Sequence, residues 1–441
     1  MRLLKVFFFF FLFMTLSERA FPLSLDIKKD VLKNGLSVIH LERKNLPLVM
    51  VTLLVKASPL DEPERLAGLS SLTASLLTEG TKKRTSKQIS EEIEFIGASI
   101  GQSVDYDFTT LTLSVLKKDL DKGFEIFSDV LLEPVFSEPE IARKKDLIKG
   151  NLRKAEDDPR FIADREFRKS LYGGHPYGRL IEGYPETIDN IKRDDIVRFY
   201  SDYFVPNNSI LVVVGDISGE ELNSLIKKYL SSWKPKDIKR SSFEAKKPSG
   251  KNVVVVDKPI TQANIIFGGL GIRRSDPDYY AISVMNYILG GGGFSSRLMQ
   301  KIRDEMGLAY DVHSFFSPSK EPGIFQVQMQ TKNESANISI ETILGEIKRL
   351  KDSGATPSEI EDAKAFLVGS FPGRFDTMRK IADFLALIEF YGLGLDYMEK
   401  YPRYIESVTP EDIKRVAQRY LDTENYVLVV VGDKKKTGIG K

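Results

Sequence analysis

An internal repeat constrains the fold of this 441-residue chain more than any other feature. Residues 184–216 read YPETIDNIKRDDIVRFYSDYFVPNNSILVVVGD, and residues 401–433 read YPRYIESVTPEDIKRVAQRYLDTENYVLVVVGD. The two segments align without a gap, 217 positions apart, and both end in LVVVGD. Each is typical of a helix that leads into a buried, valine-rich strand. So long a period indicates the duplication of a whole domain.

The repeat extends upstream, where EIARKKDLIKGNL from Glu140 matches EIEDAKAFLVGSF from Glu359 and places Gly150 opposite Gly369. Strand-like segments such as LSVIHLE, LVMVTLLVKA and FTTLTLSVL alternate with helical segments at 86–96 and 120–132. This mixture predicts an α/β fold of the α+β type. We expect two homologous domains from the duplication, each a mostly antiparallel sheet backed by helices.

The polar, basic segment 233–251 predicts a linker between the two domains. The boundaries that follow are an N-terminal domain at 25–232, a C-terminal domain at 252–433 and a flexible tail at 434–441. The chain has no cysteine, so it has neither a disulfide nor a thiolate metal site.

The first residues, MRLLKVFFFFFLFMTLSERAFPLS, have the cationic start and short apolar run of a secretory signal peptide, assigned to 1–20. We expect a periplasmic or secreted protein with no membrane span in the mature chain, although an uncleaved segment would leave it anchored. The chain has 64 Lys and Arg against 62 Asp and Glu. Loss of residues 1–20 removes three cations and one anion and leaves the two signs equal, which does not favour nucleic-acid binding.

Residues 68–81, GLSSLTASLLTEGT, predict a helix with an unusual surface. Leu69, Leu72 and Leu76 recur with helical spacing and form an apolar stripe. The other side carries only small side chains, at Gly68, Ser71, Ala74, Ser75 and Thr78. An ordinary packed helix accounts for the stripe but leaves the small face unexplained.

Four ordered blocks of the chain resemble the pitrilysin/insulinase family of zinc peptidases, in its smaller processing-peptidase branch. They are LPLVMVTLLVKASPLDEPERLAGLSSLTASLLTEGT, AEDDPRFIADREFRKSLYGGHPYGR, YFVPNNSILVVVGD and GGGGFSSRLMQKIRDEMGLAYDVHS. In active members, the helix carries the zinc motif H-x-x-E-H, and a Glu about 75 residues later completes the site. The resemblance places these positions at Ser71, Ala74, Ser75 and Gly150 or its neighbour Asn151, and none of these residues is a zinc ligand. It therefore implies a degenerate site with no metal or cofactor in this chain.

The resemblance also implies a surviving site in the second half. There the family has an Arg and a Tyr that hold the substrate backbone, and the matching residues are Arg297 and Tyr310. Such donors polarise a peptide carbonyl, although a surface Arg and a half-buried sheet Tyr are the alternative. Partner subunits of processing peptidases carry a longer glycine-rich loop where this chain has Gly290–Gly293, which predicts a hinge or a loop that contacts substrate. His313 follows Asp311 by two residues, as in a surface pair.

The resemblance implies a non-catalytic subunit of a heterodimeric zinc metallopeptidase that cleaves peptides or unfolded polypeptides. Zinc is then expected in a homologous partner subunit, and this chain supplies Arg297 and Tyr310 to a composite site. One alternative is a peptide-binding or scaffold protein with no peptidase partner, and another is an active peptidase with unusual ligands. Loss of the metal positions beside an Arg/Tyr pair favours the first hypothesis.

Overall fold

A computed structural model describes residues 26–439, so the predicted signal peptide lies outside the described residues. The strands are β1 Lys28–Val31, β2 Ser37–Glu42, β3 Leu48–Val55, β4 Ser99–Val104, β5 Thr109–Leu116, β6 Ser209–Gly215, β7 Lys251–Asp257, β8 Gln262–Leu270, β9 Ala309–Ser317, β10 Ile324–Lys332 and β11 Tyr426–Gly432.

The helices of the first half are α1 Leu69–Leu76, α2 Ser86–Phe95, α3 Leu120–Leu132, α4 Glu138–Ala155, α5 Pro159–Tyr172, α6 Pro185–Asn190, α7 Arg193–Tyr203 and α8 Gly219–Tyr229. Those of the second half are α9 Tyr279–Asn286, α10 Ala336–Ser353, α11 Pro357–Ser370, α12 Met378–Phe390, α13 Tyr397–Glu406, α14 Pro410–Tyr420 and α15 Lys434–Thr437. No helix within 26–439 combines the length and apolar composition that crossing a bilayer requires.

The two sheets have the same topology, which confirms the predicted fold class. The first sheet has the strand order β1-β2-β6-β3-β5-β4, and the second has the order β7-β11-β8-β10-β9. The shared part of the order begins with a parallel pair, β2 with β6 in the first sheet and β7 with β11 in the second. The pairs that follow it are antiparallel. The repeated strands LVVVGD are β6 and β11, and both are buried along their whole length. Strand β1 is the single addition to the shared order.

The halves are joined by a reciprocal exchange of one helix. Helix α5 of the first half packs on β11 and β8, and helix α12 of the second half packs on β6 and β3. The two helices occupy equivalent places in the repeat. Phe167 of α5, for example, is fully buried in a cluster with Val429 of β11. Each sheet therefore depends on the other half to cover one of its faces.

The segment between the halves is irregular, whereas the end of the chain is folded. Residues 234–250 contain no helix or strand, and Arg240 in this segment pairs with Asp61 at 3.1 Å. The end was expected to be a flexible tail, but residues 434–437 form α15. Ile439 is buried, and Asn337 donates a hydrogen bond to the carbonyl of Thr437 at 2.7 Å. These contacts fix the tail on α10, and a lysine-rich composition alone does not reveal them.

Candidate functional site

Helix α1, which carries the small-residue face, begins at a buried carboxylate. Gly68 precedes the helix with φ of +96°, and an added Cβ would lie 2.5 Å from the Glu182 carbonyl oxygen, so only glycine fits there. The Glu62 carboxylate accepts hydrogen bonds from the backbone N–H groups of Gly68 at 3.1 Å and Ser70 at 2.8 Å. Burial raises the pKa of Glu62 to about 7. The helix start is thus fixed by charge-assisted capping.

The four degenerate positions lie on two helices that pack together. Ser71, Ala74 and Ser75 are on α1, and Gly150 is on α4, which contacts α1. Ala74 is buried, and Ser75 donates its hydroxyl to the Leu72 carbonyl at 2.8 Å. A Cβ at Gly150 would meet no atom within 4 Å, so this position opens onto free space.

These side chains do not fit a zinc ion. Catalytic zinc takes three protein ligands drawn from His, Cys, Asp and Glu, whereas hydroxyls, a methyl group and a hydrogen atom stand at the four positions. Among residues 26–439, no group of three or more such side chains is arranged to hold a metal.

Arg297 is buried in an ion pair. Its Nε and Nη2 atoms donate to the two carboxylate oxygens of Glu359 at 2.6 and 2.7 Å, and Nη2 also donates to the Gly354 carbonyl at 2.9 Å. Burial opposes ionisation of Glu359, but the bonds from Arg297 outweigh it and lower the pKa of Glu359 to about 2. This ion pair ties the helical turn that precedes the π-helical segment Met299–Glu305 to α11, while the buried Nη1 atom has no hydrogen-bond partner among the described residues.

We expect Arg297→Met to destabilise the protein by about 3–5 kcal/mol, because it leaves the Glu359 carboxylate without its partner. Urea denaturation followed by circular dichroism measures this loss. Arg303→Met is the matched control, because Arg303 lies six residues further along the same helical stretch and its one ion pair among residues 26–439 is with the exposed Asp304. Equal stability of the two variants would contradict the assigned role of Arg297.

Arg303 is the guanidinium that lies beside Tyr310. It is 4.7 Å from the ring centroid of Phe294 and 5.7 Å from that of Tyr310, within cation–π range. Tyr310 is 87% exposed. The sequence prediction named Arg297 with Tyr310, whereas the structure places Arg303 beside the Tyr310 ring. The signal that was available is Gly307, which ends the helical segment four residues later and places Arg303 in its last turn, next to the strand that holds Tyr310.

A β-bulge directs Tyr310 toward a cavity. Val312 pairs with Met329 and Ala309 with Thr331, so Tyr310 and Asp311 both lie opposite the single residue between Met329 and Thr331. Bulges redirect side chains in this way near functional sites. The cavity has a volume of about 350 Å³. Its wall includes Arg160, Asn264, Tyr310, Asp311, His313, Gln328 and Gln330, contributed by α5 and by strands β8–β10.

The predicted His313–Asp311 pair is present on this wall, with Nδ1 3.0 Å from the carboxylate. The glycine run differs from the expected loop. Side chains at Gly290, Gly291 and Gly292 would approach neighbouring atoms to within 2.6–2.8 Å, and only Gly293 faces open space. Gly290 and Gly291 close a π-helical turn, so close packing explains most of the run.

Comparison with known proteins agrees with this architecture. Residues 38–183 match the family model described as Insulinase (Peptidase family M16), and residues 190–367 match Peptidase M16 inactive domain. A "Non-peptidase homolog YmxG" of Helicobacter pylori is 26% identical over 90% of this chain and 92% of its own length. A probable mitochondrial-processing peptidase subunit beta of Arabidopsis thaliana is 23% identical over 92% of this chain and 78% of its own.

The fold also matches a solved structure. A crystal structure from Pseudomonas fluorescens, described as a peptidase M16 inactive domain, aligns with a TM-score of 0.87 and 27% identity over 92% of this chain and 98% of that one. The two family matches together span most of the chain. The chain therefore belongs to peptidase family M16, the insulinase family.

Proposed function

We propose that this chain is the non-catalytic subunit of a zinc metallopeptidase pair and that it binds extended polypeptide for a homologous, zinc-bearing partner. One observation carries the proposal. The metal positions Ser71, Ala74, Ser75 and Gly150 are without ligands, whereas in the other half Tyr310 is an exposed donor on the wall of a cavity and the half-buried Arg303 lies beside it.

Arg303 and Tyr310 would act on the substrate backbone. A guanidinium and a phenol both donate hydrogen bonds to a peptide carbonyl, and such donors stabilise the negative charge that develops on that oxygen. Phe294 and Asp304 hold the Arg303 side chain, the latter through a hydrogen bond of 2.7 Å. The zinc-bearing partner subunit would supply the metal chemistry. In this proposal, the donor role that the sequence suggested for Arg297 passes to Arg303, because Arg297 is committed to Glu359.

The proposal has two further parts, a partner subunit and export from the cytoplasm. The Arabidopsis relative is a subunit by name, which supports a partnered role for this chain. The N-terminal sequence supports export, with the pair working in the periplasm or outside the cell, either free or anchored.

Kinetics of the reconstituted pair test the proposal. We expect Arg303→Ala and Tyr310→Phe each to lower kcat about a hundredfold, since one oxyanion donor contributes on the order of 3 kcal/mol to the barrier. The matched control is Lys301→Ala, because Lys301 lies on the same segment but pairs outward with Glu305. Normal kinetics in an assembled pair would contradict the donor role.

A second function is favoured by a specific observation, the relative named as a non-peptidase homolog. In that case the chain binds peptide, or acts as a scaffold, with no peptidase partner. Genomic context and co-purification distinguish the two, because the first function requires a sibling with an intact H-x-x-E-H motif. An active peptidase with unusual ligands would instead cleave peptides by itself.

A further inference from the structure

Each sheet has one face that points toward the other half, and the exchanged helix covers only part of it. Helix α12 covers β6 and β3, and the same face continues uncovered over β5 and β4. Helix α5 covers β11 and β8, and that face continues over β10 and β9. These two continuations, which we call the open faces, are the surfaces that a polypeptide between the halves would touch.

The open face of the first sheet is made mostly of small, uncharged residues, with the exposed Leu116 at its end. Met50 and Leu54 of β3 belong to the core that α12 completes, and their partners on β5 are Ser114 and Thr110. Strand pairing therefore places the following residues on this face: Thr110, Thr112 and Ser114 of β5, and Ser99, Gly101 and Ser103 of β4. The hydroxyls of Ser103 and Thr110 are 2.8 Å apart.

The open face of the second sheet is rich in carboxamides. Its amide side chains are Gln328 and Gln330 of β10, and Gln262 and Asn264 of β8 lie directly beside them. Gln326, on the same face of β10, is fully buried under α5. Two of them are ordered by hydrogen bonds, from Gln328 to Gln326 at 3.0 Å and from Gln326 to Asp164 at 3.3 Å. Asn264 is 4% exposed, lines the 350 Å³ cavity, and its Nδ2 atom has no hydrogen-bond partner among the described residues. The Asn264 amide is therefore a hydrogen-bond donor without a partner beside the cavity.

The charges around the open faces are nearly all compensated within the chain. The pairs are Arg160 with Asp158 at 3.6 Å, Arg168 with Asp164 at 2.9 Å and Arg379 with Asp383 at 3.9 Å. Asp311 lies 3.0 Å from Nδ1 of His313 and is the acidic exception. Lys332 lies on the same face as the glutamines, at the very end of β10. The walls consequently have neither an acidic nor a basic surplus that would attract a charged ligand.

We infer that the open faces select polypeptide segments composed of uncharged polar residues, namely Ser, Thr, Asn and Gln. The inference rests on the proposed function, because it names the substrate class of that cleft. Amides and hydroxyls offer both donors and acceptors, which neutral polar side chains and peptide groups satisfy. An apolar side chain would leave the buried amides unpaired, and a charged one would lose its water without gaining a counter-ion.

Peptide binding by the purified full chain tests the inference. Fluorescent peptides of equal length, neutral polar, basic, acidic or apolar, are titrated and followed by anisotropy. We expect the neutral polar peptide to bind about tenfold more tightly than the others. Its Kd will change less than about twofold between 50 and 300 mM NaCl, because no counter-charge is screened.

Paired variants locate the binding surface. Gln328→Leu will weaken binding of the neutral peptide about fivefold, as expected for a lost hydrogen bond. Gln102→Leu is the matched control, since Gln102 pairs with Leu111 and so lies on the opposite face of the first sheet. Gln328→Glu will improve binding of the basic peptide. Thermal melting confirms that each variant is folded.

Tighter binding of a charged or apolar peptide, or equal loss in both leucine variants, would overturn the inference and leave the proposed function standing. Binding of no peptide by the chain, alone or with its partner, would overturn both.

Discussion

Expressed separately, residues 26–233 and 251–439 will each fail to fold, whereas co-expression of the two will restore a stable complex. The reason is the exchange of α5 and α12, which leaves both sheets half-covered in an isolated half. The first half would expose apolar side chains that α12 normally buries, namely Ile39, Leu41, Met50, Leu54, Ile210, Val212 and Val214. At about 1.5–3 kcal/mol for each side chain, this loss exceeds the net stability of an ordinary domain.

Size-exclusion chromatography and circular dichroism of the fragments measure this effect. A matched control joins the same two segments through a flexible linker in place of residues 234–250, which lack helix and strand. We expect that control to fold. A monomeric, cooperatively melting first half would show that the helix exchange is not required for stability.

Restoring zinc ligands at all four degenerate positions will create a metal site, whereas restoring three of them will not. Ser71→His, Ala74→Glu and Ser75→His together supply only two ligands on α1 and a base, so we expect weak zinc binding at best. Adding Gly150→Glu supplies the third ligand. The free space at Gly150 accommodates this side chain. We expect zinc affinity to rise on the order of a hundredfold, about 2.7 kcal/mol, as measured by competition with a chromophoric chelator.

The duplication provides a matched control for the fourth substitution. Gly369 is the counterpart of Gly150 in the second half and also faces open space. Gly369→Glu added to the three α1 substitutions will leave zinc affinity unchanged. Tight zinc binding by the triple variant alone would mean that the ligand positions have been misassigned.

Local patterns allowed much of the fold to be predicted. The expected strand FTTLTLSVL is β5, where Leu111, Leu113 and Val115 alternate with half-buried polar residues. The repeat likewise predicted two sheets of one topology. The helix exchange could not be predicted, because the pattern of α5 shows an apolar face but not which sheet covers it. Phe167 and Val429, which share one buried cluster, are distant in sequence.

Local patterns in the sequence also allowed part of the candidate site to be predicted. Loss of the zinc ligands is visible in the sequence, as is the placement of Tyr310 on a strand. Arg297 was selected because the resemblance placed the substrate-holding Arg of the family at this position. Its actual partner is Glu359, which is 62 residues away and satisfies the charge inside the fold. The role of Arg303 depends on a π-helical turn and a β-bulge, which residue spacing alone does not reveal.

The zinc content of the chain purified alone, after expression with abundant metal, tests the central claim most directly. The account assigns metal chemistry to a partner, because Ser71, Ala74, Ser75 and Gly150 offer no ligands. It therefore predicts far less than one zinc per chain by elemental analysis, in a folded sample that still binds peptide. One tightly held zinc per chain would contradict it.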